Sequence, residues 1–200
     1  MRYYRCSRRS GFSMLEIMTA LAIMAVLSAV IFPMLSSKMR DARRAALSQS
    51  LLAISQAAAE YRKAVTRYPP NLSALTNAPI AGVTTDACGG TNYLSAINAA
   101  NWRGPYLSRE MVSTGLQMAD GKVESALRRV ASGTAAYLLI DVSGVETEVA
   151  TAMEAEYDGN ANPSAGTIRY TTSALPAPST VPAANPGTVN LSYAIPISGC

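Results

Sequence analysis

The chain has 200 residues, of which 49% are hydrophobic, 15% charged and 6% aromatic, and this composition excludes a disordered polymer. It contains no histidine, which excludes Ser-His-Asp and Cys-His catalysis and His-ligated zinc. The net charge of +4 comes from the first eleven residues. Four of the 17 basic residues lie there, Arg2, Arg5, Arg8 and Arg9, and the other 13 balance the 13 acidic ones. A nucleic-acid partner is therefore not expected.

An apolar run long enough to cross a membrane follows these arginines. Between Phe12 and Leu35 the one charged residue is Glu16, and the 19 residues from Ile17 to Leu35 carry no charge. As a helix those 19 residues span roughly 28 Å, close to the thickness of the hydrocarbon core of a bilayer. A buried helix of a soluble core is the alternative, but such helices rarely run this far without a polar face.

A secretory signal peptide is a closer alternative, since a basic start followed by an apolar run is typical of one. The run exceeds the usual apolar region of about 7 to 15 residues, and Ser36-Ser37-Lys38 follows it in place of a small-x-small cleavage site. The basic residues on the two sides of the apolar run do not decide which end of the helix faces the cytoplasm. Four basic residues beyond the run balance the four before it: Lys38, Arg40, Arg43 and Arg44.

A motif marks the junction between the basic leader and the apolar run. The segment Ser10-Gly11-Phe12-Ser13-Met14-Leu15-Glu16 resembles the prepilin signal of type IV pilins and type II secretion pseudopilins, in which a short basic leader ends in Gly and a Glu follows shortly after the Phe. Pro33 stands where many members of that family also carry a proline. The resemblance covers residues 8–60.

The resemblance implies how the chain is processed and where it lies. A prepilin peptidase would cut between Gly11 and Phe12 on the cytoplasmic side and methylate the new amino group of Phe12. The mature chain would span the inner membrane once, with its N-terminus cytoplasmic and its C-terminal domain periplasmic, before it joins a periplasmic or extracellular filament. Its partners would be itself and other pilin-like subunits, the peptidase, an inner-membrane assembly platform and membrane lipid.

Glu16 and Pro33 are the expected assembly residues of the apolar run. A carboxylate costs roughly 2 to 3.5 kcal/mol near the centre of a membrane helix and less near its end, so Glu16 requires a partner. The ammonium of Phe12 on a neighbouring subunit would supply one, although Glu16 could instead reach the cytoplasmic headgroups. Pro33 should kink or locally melt the helix, with Ser28 helping to satisfy the backbone that is freed at Ala29.

Residues 36–67 continue the helix as an amphipathic segment. Apolar side chains recur at intervals of three and four residues and form one stripe, which is expected to lie on a sheet: Leu47, Leu51, Ile54, Ala58, Tyr61 and Val65. The basic cluster Lys38–Arg44 is expected to face solvent, lipid headgroups or neighbouring subunits. Tyr68-Pro69-Pro70 should end the helix, because neither proline can continue it.

Residues 68–200 are expected to form one periplasmic globular domain after a leader (1–11), a transmembrane helix (12–35) and the amphipathic segment (36–67). Asn71 should cap a short helical turn that reaches Leu75. The remaining patterns predict a loop at 76–101, a helix at 107–118, a helix or strand at 122–130, a strand at 134–142, a helix at 145–157, strands at 167–173 and 189–197, and a proline-rich surface loop at 175–187. Three strands suit a small antiparallel sheet with the long helix across one face, an α+β arrangement that matches the type IV pilin fold implied by the resemblance.

The segment Trp102-Arg103-Gly104-Pro105-Tyr106-Leu107 is similar to the Trp-x-Gly-Pro-Tyr-Leu segment of major pseudopilins of type II secretion. The Asp-Pro-Trp-Gly sequence that normally follows in that subfamily is absent. Trp102 and Tyr106 are also expected to be amphipathic anchors that close the core, with Gly-Pro forming the turn between them.

Oxygen side chains at alternate positions make Asp158, Asn160 and Asn162 weak calcium candidates, since major pseudopilins bind calcium in a C-terminal loop. Pro163 occupies the sixth position, where calcium loops carry Gly, and Arg169 occupies the twelfth, where they carry a carboxylate. An Asx turn that ends the helix is therefore favoured. No cofactor is expected.

The cysteines predict one disulfide bond. Cys6 would leave with the leader, which leaves Cys88 and Cys200 as an even pair in an oxidising periplasm. A bridge between them would tie the last residue of the chain to the 76–101 loop.

These observations predict a structural subunit of a type IV filament that polymerises through its N-terminal helix, in a type II secretion pseudopilus or a related pilus serving protein secretion. Pilus or pseudopilus, and major or minor subunit, stay open. The alternative is a single-span inner-membrane protein that displays a non-polymerising periplasmic binding domain and keeps its first eleven residues. An enzyme is not expected, because the chain has no histidine and no convergent acid pair at a recognisable spacing.

Overall fold

The computed structural model describes residues 11–82, 85–88, 95–108, 115–118, 120–132, 135–159, 162–173 and 187–198. In chain order the elements are α1 (Met14–Val65), α2 (Ser73–Thr76), α3 (Ala96–Ala100), β1 (Gly115–Gln117), β2 (Lys122–Ser132), β3 (Ala135–Glu146), α4 (Thr147–Tyr157), β4 (Ile168–Thr171) and β5 (Thr188–Ile197). The fold is α+β, as expected, with a long N-terminal helix and an antiparallel sheet. The chain divides into two compact units, Met1–Arg40 and Asp41–Cys200.

Helix α1 begins and ends within two residues of the predicted bounds, 12 and 67. The carbonyl of Ser13 accepts hydrogen bonds from the backbone N–H groups of Glu16 (3.0 Å) and Ile17 (3.2 Å), so the first turn forms directly after the predicted cleavage site. The last helical residue is Val65. Thr66 then adopts a left-handed conformation with φ of 63°, which turns the chain away before the two prolines.

The helix does not melt at Pro33, so that part of the expectation is wrong, while a kink there stays a prediction. Helical residues run through position 33 without interruption, because a proline removes one donor and leaves the backbone bonds on either side of it intact. The expected role of Ser28 is also wrong. Its hydroxyl donates to the carbonyl of Met24 at 2.7 Å and not to the carbonyl of Ala29.

The unit Met1–Arg40 presents an apolar helical surface. Its large apolar side chains between Phe12 and Met39 keep exposed fractions of 48% to 80%. Within the described residues, α1 alone is long and apolar enough to cross a membrane. The hydroxyls of Thr19 and Ser37 donate to carbonyls one turn earlier, at 3.0 and 2.9 Å, so these polar groups need no partner outside the helix.

The described strands form one sheet of five, in the order β1-β2-β3-β5-β4, and every neighbouring pair is antiparallel. The strands predicted at 134–142, 167–173 and 189–197 correspond to β3, β4 and β5, and the helix predicted at 145–157 corresponds to α4. The segment 122–130, for which helix and strand were both open, is the strand β2. The short helix α3 lies in the segment expected to be a loop, and the proline-rich segment 175–187 falls outside the described residues except for its last residue.

The helix predicted at 107–118 is wrong, since residues 115–117 form the edge strand β1. Gly115 has a φ of 136°, and a Cβ there would lie 2.0 Å from the carbonyl oxygen of Val123 on the neighbouring strand. The two strands are joined by a tight hairpin, in which the N–H of Met118 donates to the carbonyl of Gly121 at 3.1 Å. The Asp120-Gly121 pair is a hairpin signal that outweighs the apolar residues before it.

The predicted helical stripe forms the centre of the core. All six of its side chains are at most 4% exposed: Leu47, Leu51, Ile54, Ala58, Tyr61 and Val65. They share a cluster with Ile140 and Val142 of β3 and with Val149 and Met153 of α4. The stripe therefore lies on one face of the sheet, as predicted, and α4 packs on the same face.

The opposite face of the sheet carries a buried ion pair. Side chains alternate along a strand, so Asp141 points away from its core-facing neighbours. Arg128 of β2 donates to both carboxylate oxygens of Asp141, at 2.9 and 3.1 Å, and the hydroxyl of Ser192 on β5 donates to the same carboxylate at 2.6 Å. Because the three groups are at most 8% exposed, this network links three strands and leaves no lone charge buried.

Tyr61→Phe is expected to stabilise the domain by about 1 kcal/mol, because the fully buried Tyr61 hydroxyl has no hydrogen-bond partner among the described residues. Burial, with smaller contributions from the neighbouring Tyr106 and Asp86, raises the pKa of Tyr61 to about 12. Because the folded pKa lies above the unfolded value near 10, ionisation of Tyr61 favours the unfolded chain. The wild type therefore keeps its full stability below pH ~10 and loses stability as the pH rises towards 12. Thermal unfolding of the full chain in detergent should show a higher Tm for the variant at pH 7 and a smaller loss of stability above pH 10.

Tyr137→Phe is the control, since Tyr137 is half-buried and lies outside the core cluster. An equal gain in both variants, or a loss of more than about 1 kcal/mol in Tyr61→Phe, would contradict this account of the core.

Candidate functional site

The predicted cleavage site lies outside regular structure. Residues 11–13 are not helical, Phe12 is 80% exposed, and a Cβ placed on Gly11 would have no neighbour within 4 Å. A protease needs an extended, accessible peptide, and the junction between Gly11 and Phe12 meets that requirement. Residues 1–10 of the leader, including Cys6, lie outside the described residues.

Glu16 is the first charged side chain after the junction and lies in the first turn of α1. Its side chain is exposed and has no hydrogen bond or ion pair with any described residue. A negative charge near a helix N-terminus interacts favourably with the backbone N–H groups there. Glu16 is thus available for a cation from another chain.

Part of the basic cluster forms ion pairs with carboxylates of its own domain. Arg43 donates to a carboxylate oxygen of Glu146, at the end of β3. The guanidinium of Arg44 lies 3.7 Å from the carboxylate of Glu156 on α4. These two arginines therefore have intramolecular partners that are distant in sequence, and their side chains stay 36% exposed. Lys38 is exposed, as expected.

The Trp-x-Gly-Pro-Tyr segment fastens α2 to α1. The indole N–H of Trp102 donates to the carbonyl of Ala74 at 3.2 Å, and the backbone N–H of Tyr106 donates to the carbonyl of Leu75 at 2.8 Å. The ring of Tyr106 meets the rings of Trp102 and Tyr61 edge-on, with centroids 5.8 and 6.0 Å apart. The two predicted anchors therefore close the end of the core that lies beside Tyr61.

The turn at Asn71 is confirmed. Its side-chain oxygen accepts the backbone N–H of Ala74 at 3.0 Å and the hydroxyl of Ser73 at 2.7 Å. The helical turn that follows is α2, which ends at Thr76, one residue beyond the prediction.

The cysteine prediction falls partly outside the described residues, because Cys200 is not among them. Cys88 is half-buried, and its neighbour Ala87 donates its N–H to the carbonyl of Tyr68 at 3.2 Å. The hydroxyl of Tyr68 accepts the N–H of Ser198 at 3.2 Å. Ala87, directly before Cys88, and Ser198, two residues before Cys200, thus both contact Tyr68. The bridge between Cys88 and Cys200 stays a prediction.

Asp158 closes the loop after α4. Its two carboxylate oxygens accept the backbone N–H groups of Thr167 and Ile168, each at 2.8 Å, and Asn162 accepts the N–H of Ser164 at 3.2 Å. Asn160 lies outside the described residues. Within the described residues no three acidic or sulfur side chains are grouped as metal ligands. The contact between Asn162 and Ser164 is that of an Asx turn. Asp158 instead accepts from backbone nine and ten residues further along the chain, and calcium binding stays an untested prediction.

Asp120 is a buried carboxylate that sequence reasoning did not single out. It is 5% exposed, one oxygen accepts the N–H of Glu146 at 3.4 Å, and the other has no partner among the described residues. Burial raises the pKa of Asp120 and the Glu146 charge adds to this, while the Glu146 N–H and Arg43 act in the opposite direction. The Asp120-Gly121 pair indicates the hairpin turn from the sequence. The burial of Asp120 involves Glu146, which is distant in sequence.

Comparison with known proteins agrees with the N-terminal geometry. Residues 6–32 match the family described as the prokaryotic N-terminal methylation motif. The chain is similar to a type II secretion system core protein G of Aeromonas hydrophila, with 28% identity over 111 residues that make up 54% of this chain and 76% of that protein. No solved structure matches the chain.

These comparisons confirm the resemblance to type IV pilins and pseudopilins. Proteins of this family are structural and not catalytic, so the expectation that the chain is not an enzyme is also confirmed.

Gly104→Ala should destabilise the domain by about 1 to 3 kcal/mol, because a Cβ at this position would lie 2.4 Å from a ring carbon of Trp102. The ring would have to move and would lose its bond to Ala74. The chain has one tryptophan, so its fluorescence reports this turn directly. The variant should show a lower Tm and red-shifted emission, whereas Asn101→Ala, at an exposed neighbouring position, should change neither.

Asp120→Asn should stabilise the domain at pH 7, because the amide cannot ionise in the buried site whereas the raised pKa of Asp120 shows that its charged form is disfavoured. The stability that protonated Asp120 contributes is present below its unfolded pKa, near 4, and is lost as the pH rises through the folded value. The Tm advantage of the variant should therefore shrink as the pH falls through the raised folded pKa and be lost below about 4. An advantage that is constant with pH would contradict this explanation.

Proposed function

We propose that this chain is a structural subunit of a type IV filament, made as a prepilin and polymerised through α1. The observation that carries the proposal is Glu16, an exposed carboxylate in the first turn of a helix that is otherwise apolar for the length of a membrane span. Such a charge is costly in lipid unless a cation meets it. A filament of like subunits supplies that cation from its own N-termini.

Processing would create the cation. Cleavage between Gly11 and Phe12 leaves an ammonium on Phe12, followed by methylation of the same nitrogen, which keeps its positive charge. Phe12 precedes the helix and Glu16 lies in its first turn. If neighbouring subunits are offset along the filament axis, the ammonium of one subunit can meet Glu16 of the next. This pairing would set the axial register of neighbouring helices.

The exposed apolar surface of residues 12–39 supports the same proposal. Before assembly this surface would be solvated by the inner membrane, with the globular domain in the periplasm. Afterwards it would be covered by the equivalent helices of other subunits. The prepilin peptidase and an inner-membrane assembly platform are the partners that such a transfer from lipid to filament requires.

A type II secretion pseudopilus, or a related pilus that serves protein secretion, is the filament that the comparisons favour. The support is the similarity to a type II secretion system core protein G, together with the Trp-x-Gly-Pro-Tyr-Leu turn at Trp102–Leu107. The predicted bridge between Cys88 and Cys200 would suit the oxidising periplasm of this proposal.

The test is assembly of Glu16 variants in cells that also contain the peptidase and the assembly platform. Glu16→Ala should lower filament yield at least about tenfold, since the neighbour's ammonium loses its partner. Glu16→Asp keeps the charge and should retain more assembly than Glu16→Ala. Thr19→Ala, one turn along the same helix, is the matched control and should assemble as the wild type does.

Equal filament yield from Glu16→Ala and wild type would contradict the proposal. A chain that forms no filament and keeps its first eleven residues would be the alternative, a single-span protein displaying a non-polymerising periplasmic binding domain.

A further inference from the structure

Strand β2 is only partly covered on the side that faces away from β3. Strand β1 pairs with it there over residues 122–124. The chain before α2 covers the next part, where the N–H of Leu72 donates to the carbonyl of Ser125 at 2.8 Å and the N–H of Leu127 donates to the carbonyl of Pro70 at 3.1 Å. Beyond Leu127 this side of β2 has no neighbouring strand among the described residues.

The outward backbone groups of Arg129 and Ala131 form what we call the open edge. In an antiparallel strand the N–H and C=O groups of successive residues point to alternate sides. Since the N–H of Leu127 points away from β3, the groups of Arg129 and Ala131 point the same way. Neither residue has a backbone hydrogen bond on that side with any described residue, and both are exposed. Two donors and two acceptors thus stand at ladder spacing without a partner strand.

The β4 edge of the sheet, by contrast, is covered by its own chain. The N–H of Tyr170 donates to the carbonyl of Pro163 at 3.0 Å, and the N–H of Ile168 donates to the carboxylate of Asp158 at 2.8 Å. These bonds occupy the outward donors of β4, so no further strand can pair with them. The open edge of β2 has no such cover from the described residues.

Arg129 gives the open edge a positive charge. Its side chain is exposed and makes no hydrogen bond, ion pair or ring contact with any described residue. It lies opposite Leu138 of β3, on the face of the sheet that carries the core. On the other face, Val130 and its partner Tyr137 are half-buried. A strand added here would meet a cation on one face and an apolar surface on the other.

A second copy of this chain is a poor partner for the open edge. If two β2 strands paired antiparallel through it, each Arg129 would lie opposite Ala131 of the other copy and diagonal to the other Arg129. Diagonal neighbours in a sheet are about 7 to 8 Å apart, so the two like charges would repel. Charged side chains on edge strands commonly prevent self-pairing in this way.

We propose that the open edge binds an extended acidic segment of another protein, which adds a strand to the sheet. The backbone groups of Arg129 and Ala131 supply the ladder, which fits any extended chain. Arg129 selects a carboxylate on the core face, and Val130 with Tyr137 favours β-branched apolar side chains on the other face. The partner sequence therefore alternates acidic and β-branched residues. This contact uses the globular domain alone and goes beyond the proposed filament function.

The probe is a capped seven-residue peptide that alternates valine and glutamate, titrated into the full chain in detergent and followed by NMR. It should bind with a Kd below about 1 mM. At saturation it should slow hydrogen exchange of the Arg129 and Ala131 amides about fivefold, because both gain acceptors. A control peptide with lysine in place of glutamate should bind roughly fivefold more weakly.

Three changes test the two parts of the contact separately. Arg129→Glu should weaken binding of the glutamate peptide roughly tenfold and make the lysine peptide the better ligand. Lys38→Glu, the same charge change at an exposed position of α1, should leave binding unchanged. Ala131→Pro removes an outward donor that β3 does not use, and proline is tolerated at such edge positions. It should weaken binding about fivefold, as should N-methylation of the peptide on the edge that faces β2.

The contradicting results are equally specific. No binding of the glutamate peptide at millimolar concentration, equal binding of the two peptides, or binding that survives both Arg129→Glu and N-methylation of the peptide would overturn the proposal. Self-association of the free chain through the Arg129 and Ala131 amides would identify a second copy as the partner and overturn it too. Thermal unfolding of each variant separates a lost contact from a lost fold. Filament yield of Glu16 variants is measured independently, so failure here leaves the proposed function standing.

Discussion

The single helix α1 is the constraint on which the rest of the structure depends. Its first part exposes large apolar side chains around Glu16, and its second part buries one stripe of side chains against a sheet. A helix satisfies its own backbone hydrogen bonds, so one element can serve both in lipid and in a globular domain. Among the described residues, the sheet and α4 cover the second part, while the large apolar side chains of the first part stay exposed.

The covering domain is fixed at several points along α1. The ion pair between Arg43 and Glu146 lies near the beginning of its domain part, and the aromatic contact between Tyr61 and Tyr106 lies near its end. Between these points the stripe contacts the sheet and α4. In the proposed filament, folding and assembly would therefore use different side chains of the same helix, and a change at Glu16 should leave the core of the domain intact.

The sequence was sufficient to predict the features that depend on local patterns. The bounds of α1, the buried stripe, the turn at Asn71, helix α4 and three of the strands follow from periodicity, capping and proline positions. The hairpin between β1 and β2 was missed, because the apolar residues of 107–118 suggested a helix and the Asp120-Gly121 signal was not weighed against them. Contacts that depend on strand register, such as Arg128 with Asp141, could not be predicted, since the partner of each residue is set by the whole sheet.

The same distinction applies to the functional residues. Gly11, Phe12 and Glu16 form one short motif, and the family comparison over residues 6–32 agrees with it. The ion pairs of Arg43 and Arg44 and the burial of Asp120 become apparent only when α4 and the end of β3 are placed beside these residues. The local motif thus predicts how the chain would be processed, and the folded domain was needed to show which charges are already paired.

The most direct test of this account is the mass of the mature chain produced with and without a prepilin peptidase. The account predicts that the peptidase yields a chain that begins at Phe12 and carries one added methyl group, while the chain made without it keeps its leader. A chain that retains Met1, or begins at any residue other than Phe12, in the presence of an active peptidase would contradict the central claim.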